Sequence, residues 1–405
     1  MSKVSLMTAQ QLKNISPVNI DGLGSIATCS MAAFQNRLYL ARICEAGKKS
    51  YNGEILRYDS ENDSWEEVYA GALEGENNYK GVGSGNSASG IPLAIAFLEE
   101  TPSLIVSFLS PSSSQFLRSE DGKTFHTVSE PQLDNHVLSF RRLLPFQNRL
   151  YAIPADNTAK NLICACDDPE TGKWQAVNLP GFDNLDNQAV SQIVAFNNCL
   201  YAGTVNPETG FQIWKTQDTN QTPYTWKQII SDGARGYAFN SCVSSMVVFQ
   251  GNLYFASGMP ADSYDRGNDI PITAPEIIRI YPDDSWDLIV GAPKFTPDGL
   301  KVPLSVMGAG FDDSHNCTLQ FMAVHNDCLY VGTQGKGGFQ LWATEDGEIW
   351  EPIRLEPLSD RRDIEIYTVV TTPWGLVTVL GKINLQNTDN PLKPKTHDVE
   401  VWLGK

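Results

Sequence analysis

The chain has 405 residues and a formal net charge of −17. No block of Lys or Arg interrupts that acidity, which sets aside nucleic-acid binding and adhesion to anionic membranes. No stretch reaches the roughly 18 consecutive apolar residues of a membrane-crossing helix. The start, Met1-Ser2-Lys3-Val4-Ser5-Leu6-Met7, lacks the apolar core of a secretory signal, so a cytoplasmic location is expected.

The first strong pattern along the chain is Met31-Ala32-Ala33-Phe34-Gln35-Asn36-Arg37-Leu38-Tyr39: an apolar strand, a two-residue polar turn, and a second strand opening with Leu-Tyr. The strand Glu54-Ile55-Leu56-Arg57-Tyr58 follows, and a further strand is marked by Trp65. Gly81-Val82-Gly83-Ser84-Gly85 resembles a phosphate loop, but no Lys-Ser/Thr follows, so a flexible loop is expected. A weaker copy of the unit spans 91–128, keeping Leu104-Ile105-Val106 and Phe116-Leu117-Arg118.

The hairpin returns as Leu143-Leu144-Pro145-Phe146-Gln147-Asn148-Arg149-Leu150-Tyr151. Further copies end at Leu200-Tyr201, Leu253-Tyr254 and Leu329-Tyr330. Their third and fourth strands are marked by Phe211-Gln212-Ile213-Trp214 with Trp226, by 276–281 with Trp286, and by Phe339-Gln340-Leu341-Trp342 with Trp350. A last unit over 364–403 holds only three strands, and a segment around Gln11-Leu12-Lys13-Asn14-Ile15 is available as its fourth. A period of roughly fifty residues with four strands per unit is the signature of a β-propeller. The expectation is one all-β propeller domain over 1–405. It has seven four-stranded antiparallel blades, six being the alternative count, and its N- and C-terminal segments close the ring.

The eight cysteines include no CxxC pair, which argues against a zinc site. Cys199 and Cys328 recur at one repeat position and belong to different blades. They read as structural thiols rather than a disulfide framework.

In a propeller the turns after the first and third strands share one face, while second-to-third loops and blade connections share the other. The first class is short here, and the second is long and irregular at 258–274, 291–316 and 382–397. Binding and chemistry are therefore expected on the second face. Arg141 and Arg235 stand near the start of innermost strands, where a guanidinium needs an anionic partner or water. Tyr264 and Asp265 lie in the first long loop. Asp313 and His315 in the second could bind a cation or carry a proton. No dedicated metal-ligand spacing occurs, so no cofactor is expected, a structural cation such as calcium being the open alternative.

Several runs resemble the propeller part of the bacterial enzymes that alkylate resorcinols with alkyl chlorides in cylindrocyclophane biosynthesis, whose relatives alkylate carboxylates. They are Ser139-Phe140-Arg141, Asn198-Cys199-Leu200-Tyr201-Ala202-Gly203-Thr204, 210–216, and above all Glu276-Ile277-Ile278-Arg279-Ile280-Tyr281-Pro282-Asp283-Asp284-Ser285-Trp286-Asp287-Leu288-Ile289-Val290-Gly291. The resemblance covers the third to sixth blades. It implies a Friedel-Crafts-type alkyl transfer in natural-product biosynthesis, on a resorcinol-like or carboxylate nucleophile, without a redox cofactor. Asp265 would be the base and Arg141 would stabilise the departing halide. Tyr264, Arg235, Asp313 and His315 would bind the small-molecule substrate. The chain differs in lacking the family's calcium-binding repeats, and in having Cys317-Thr318-Leu319-Gln320 where an aromatic-rich run is expected. The alternative is a non-catalytic propeller that binds a protein, glycan or small ligand on its loop face. A third reading, a sialidase-like hydrolase, rests on Ser119-Glu120-Asp121-Gly122-Lys123-Thr124-Phe125 and 344–350. These resemble the Asp-box turn and are expected to be structural.

Overall fold

A computed structural model describes residues 12–17, 28–47, 50–73, 93–98, 102–109, 114–155, 158–258, 274–335, 338–354, 364–382 and 399–404. Tyr264, Asp265, the 81–85 glycine run and the last long loop lie outside the described residues.

Of the 32 described strands, 28 fall into seven antiparallel groups of four, each with one strand innermost, and the other four form two separate hairpins. The first sheet runs Thr28–Phe34, Arg37–Gly47, Ser50–Asp59, Ser64–Leu73. The second runs Leu93–Leu98, Ser103–Leu109, Ser114–Ser119, His126–Thr127, and the third Phe140–Phe146, Arg149–Pro154, Cys164–Cys166, Gln175–Ala176. The fourth begins with Ala189–Phe196 and Cys199–Val205, the fifth with Cys242–Phe249 and Asn252–Gly258, the sixth with Asn316–His325 and Cys328–Gly335. The seventh comprises Ile364–Thr372, Gly375–Lys382 and Val399–Gly404, and Leu12–Asn14 pairs with the last of these. Ser16 Oγ accepts from the Val401 amide at 2.9 Å, fixing the two termini side by side. Innermost strands touch in succession from the first sheet to the seventh, and the seventh touches the first.

The repeated sequence explains the repeated geometry. In the first hairpin turn Gln35 and Asn36 both have positive φ, as do Gln147 and Asn148, Asn197 and Asn198, Gln250 and Gly251, and Asn326 and Asp327. Such turns match the twist of paired strands and favour Asn and Gly. In three of these five turns the first side chain then reaches the next sheet: Gln35 donates to the Glu120 carbonyl at 2.9 Å, Asn197 to that of Pro282 at 3.2 Å, and Gln250 to that of Glu345 at 2.7 Å. The Leu of Leu-Tyr is buried in all five copies, a gain of about 1.5–3 kcal/mol each. The Tyr hydroxyl extends toward the following sheet, as where Tyr201 donates to Asp284 at 2.9 Å.

The Asp-box-like turns lie on this same face. Asp121 Oδ1 accepts from the amides of Lys123 and Thr124 at 2.8 and 2.7 Å, and Asp346 Oδ1 accepts from those of Glu348 and Ile349 at 2.8 Å. Their aspartates close turns. Cys164 and Cys166 pack into one apolar cluster with Phe140 and Trp174, and no disulfide joins any two of the seven cysteines described. Among the described residues no helix is long and apolar enough to cross a membrane.

Candidate functional site at the axis

The innermost strands of the third to seventh sheets share an irregularity that the first two lack. Register slips by one residue between Phe140 and Arg142, Val190 and Gln192, Val243 and Ser245, Leu319 and Phe321, and Ile366 and Thr368. The extra residue is Arg141, Ser191, Ser244, Gln320 or Tyr367, each two places before the apolar start of the repeat. The corresponding strands of the first and second sheets pair without interruption. A β-bulge re-aims side chains and frees backbone groups, and bulges gather beside binding sites.

Side chains at the bulges tie neighbouring sheets together. Arg141 Nη2 donates to the carbonyls of Val190 at 2.6 Å and Lys160 at 3.1 Å. Gln192 donates to the Ser244 carbonyl at 2.7 Å, and Ser244 Oγ to the Leu319 carbonyl at 2.6 Å. The Met322 amide donates to Ser245 Oγ at 3.0 Å. These bonds link the third sheet to the fourth, the fourth to the fifth and the fifth to the sixth at one level of the ring.

Arg141 thus meets carbonyl oxygens, and no carboxylate faces it among the described residues. Its Nε is buried without a hydrogen-bond partner. Burial pulls its pKa down to about 10, and the neighbouring Arg142 charge adds to the fall. The guanidinium still stays protonated at neutral pH. Arg142 makes no ion pair or hydrogen bond among the described residues. It is open to solvent, and partial desolvation lowers its pKa. Two adjacent cations at a bulge, with no anion facing them among the described residues, form the strongest candidate site. Sequence reasoning singled out Arg141 and gave Arg142 no role. The signal available was the doublet itself at the repeat position occupied by Ser244-Ser245.

The other candidates belong to a second repeated device. Gly181-Phe182-Asp183-Asn184-Leu185-Asp186-Asn187 and Gly310-Phe311-Asp312-Asp313-Ser314-His315-Asn316 lead into the fourth and sixth innermost strands. Asn187 donates to the Gly181 carbonyl at 2.8 Å and to Gln212 Oε1 at 2.7 Å. Asn316 donates to the Gly310 carbonyl at 2.8 Å and to Gln340 Oε1 at 3.1 Å. Phe182 stacks on Trp214 and Phe311 on Trp342, with centroids 4.9 and 4.5 Å apart. Within this turn Asp313 accepts from the His315 amide at 2.9 Å, contacts His315 Nδ1 at 3.0 Å, and accepts from Gln340 at 2.7 Å. Burial pushes the Asp313 pKa up, but these donors outweigh it and the net shift is downward. Arg235 occupies the corresponding turn of the fifth sheet, exposed, 3.7 Å from Asp232. No hydrogen bond or ion pair among the described residues joins Arg235, Asp313 or His315 to Arg141.

Where the fourth and sixth sheets carry Gln212 and Gln340, the fifth carries Glu276. Its buried carboxylate accepts from Asn240 at 2.9 Å and from Lys294 Nζ at 2.6 and 2.5 Å. Desolvation raises its pKa despite Lys294. Among the described residues no group of His, Cys, Asp and Glu is arranged to hold a metal ion.

No family model matches the sequence. No curated protein matches it either. Among solved structures the chain is similar to the polysaccharide lyase Uly1, at TM-score 0.54 and 8% identity over 94% of this chain and 90% of that one. It is also similar to the β-propeller domain of the Trilobed protease from Pyrococcus furiosus, at TM-score 0.48 and 9% identity over 93% and 95%. A third likeness is to the Nup133 β-propeller domain of Vanderwaltozyma polyspora, at TM-score 0.40 and 9% identity over 91% and 100%. The chain is a β-propeller. At these identities the likeness is one of fold alone.

Proposed function

We propose that this propeller binds a small anionic ligand at the mouth of its axis, with Arg142 as the contact cation and Arg141 behind it. The observation behind this reading is the Arg141–Arg142 pair, placed by a bulge on an innermost strand with no carboxylate against it among the described residues. Two like charges side by side repel, and an anion held between them offsets that repulsion. Titration with a small aromatic carboxylate tests the reading: saturable binding that weakens at least tenfold in Arg142→Gln supports it, and equal affinity of parent and variant removes it.

The finer reading is the alkyl transfer implied by the sequence resemblance. The same cations would then stabilise a halide as the carbon–halogen bond breaks, or orient a carboxylate nucleophile. A carboxylate base such as Asp265 would take the phenolic proton while the new bond to the ring forms. Incubation with a resorcinol and a secondary alkyl chloride gives alkylated product on this reading. Ligand binding without product would leave the anion site standing and dismiss the alkylation.

A further inference from the structure

Away from the axis, two adjoining connections carry most of the exposed apolar bulk. Of twelve large hydrophobic side chains exposed among the described residues, two lie in the connection into the fifth sheet and five in the connection into the sixth. Phe295 is 80% exposed, Val306 87%, Phe239 58% and Tyr237 53%. Phe295 faces Leu300 across a two-stranded hairpin, Lys294–Thr296 with Gly299–Lys301, which pairs with no other described strand. The hairpin touches the turn Asp232–Arg235, so the two connections form one surface.

This surface is held firmly. The buried Lys294–Glu276 pair fixes one hairpin strand, and Lys301 Nζ donates to the Trp286 carbonyl at 2.6 Å from the other. Its cations are all matched, Lys294 by Glu276, Lys301 by Asp287 and Arg235 by Asp232. Asp298 at the hairpin tip and Asp312 are exposed and have no cation among the described residues. Exposed apolar side chains in a connection that also carries two unmatched aspartates, on a chain of net charge −17, fit a partner that combines Lys and Arg with apolar side chains and disfavour a second copy.

We infer that the surface formed by Tyr237, Phe239, Phe295, Leu300 and Val306 docks a basic, apolar-centred polypeptide. The test uses a synthetic amphipathic peptide of Leu and Lys, with a Leu–Glu peptide of the same pattern as control. Binding is followed by fluorescence anisotropy against the whole chain and against Phe295→Ser/Val306→Ser. Saturable binding of the Leu–Lys peptide, at least tenfold weaker in the double variant and absent for the Leu–Glu peptide, supports the assignment. Because both substituted side chains are exposed, the variant keeps the parent's melting curve. Equal affinity for parent and variant would mean that net charge alone attracts the peptide, and would overturn it. Micromolar self-association of the parent that the variant abolishes would overturn it too, giving the surface to a second copy.

Discussion

Arg142→Met separates a cation kept for a ligand from one that holds the fold. The substitution removes no hydrogen bond or ion pair among the described residues. It does remove a like charge beside Arg141, whose own pKa is lowered partly by that charge. Two unit charges about 6–10 Å apart repel by roughly 2–3 kcal/mol at an effective dielectric near 20. Arg142 is solvent-accessible, so screening reduces this to about 0.5–1 kcal/mol. Met fills similar space along the aliphatic stem. Arg142→Met is therefore expected to raise stability by about 0.5–1 kcal/mol while anion affinity falls at least tenfold, about 1.4 kcal/mol.

Urea denaturation and isothermal titration of parent and variant would check both numbers. A loss of more than about 1 kcal/mol of stability would refute the reasoning, since Arg142 would then be a structural strut. The comparison with Arg141→Met sharpens the point. There two bonds to carbonyls are lost, each worth about 1.5–3 kcal/mol when the donor is charged, while several kcal/mol of buried-charge cost disappear. Opposite signs in the two variants would assign Arg141 to the fold and Arg142 to the ligand.

Other expectations follow from the repeats. Gly122 has positive φ, and a Cβ there would collide with the Tyr39 hydroxyl. Gly122→Ala should cost about 2–3 kcal/mol in chemical denaturation, and adding Tyr39→Phe should recover part of it. No recovery would rule out the collision as the cause. Two backbone amides are the main reason that the Asp121 pKa is depressed. Its stabilisation is therefore present above the ordinary Asp range and lost as pH falls through the depressed value. Asp121→Asn should flatten the melting temperature between pH 4 and about pH 2 relative to the parent; parallel curves would count against the assignment. Glu276→Gln puts in the fifth sheet the residue its neighbours carry but strands Lys294, at an expected cost of about 3–5 kcal/mol. Adding Lys294→Met should return most of it, read by a double-mutant cycle.

Much of the fold was legible because its determinants are local. Five two-residue turns need Gln, Asn, Asp or Gly at positive φ, and five Leu-Tyr pairs bury their Leu, so strand pairing can be read from spacing. Asp121 and Asp346 were likewise readable as turn residues. The site was less legible, because a bulge is a difference between two paired strands and leaves no mark in either alone. Arg141 drew attention as a lone cation near the axis. Its carbonyl partners, Val190 and Lys160, carry no side-chain signature, so its bonding into the fourth sheet was hidden. The turn motif around Asp313 and His315 was visible in principle, since 181–187 and 310–316 align residue for residue. The bonds of Asn316 and Asp313 to Gln340 also fasten that turn to the sixth sheet, and no local motif announces them.

The bulges also suggest why polar side chains cluster at one level of the axis. A propeller's innermost strands have a free edge, and five of them loosen their register at the same height. Arg141, Gln192, Ser244 and Ser245 return side-chain or backbone hydrogen bonds across the sheet boundaries, so the third to sixth sheets are joined where their own ladders are interrupted. The cross-links hold the strands together where the register is loosened. Arg142 is the cation of this collar that makes no cross-link among the described residues. On the anion-binding proposal, a rigid collar with one uncommitted cation would hold the ligand in a fixed orientation at little entropic cost.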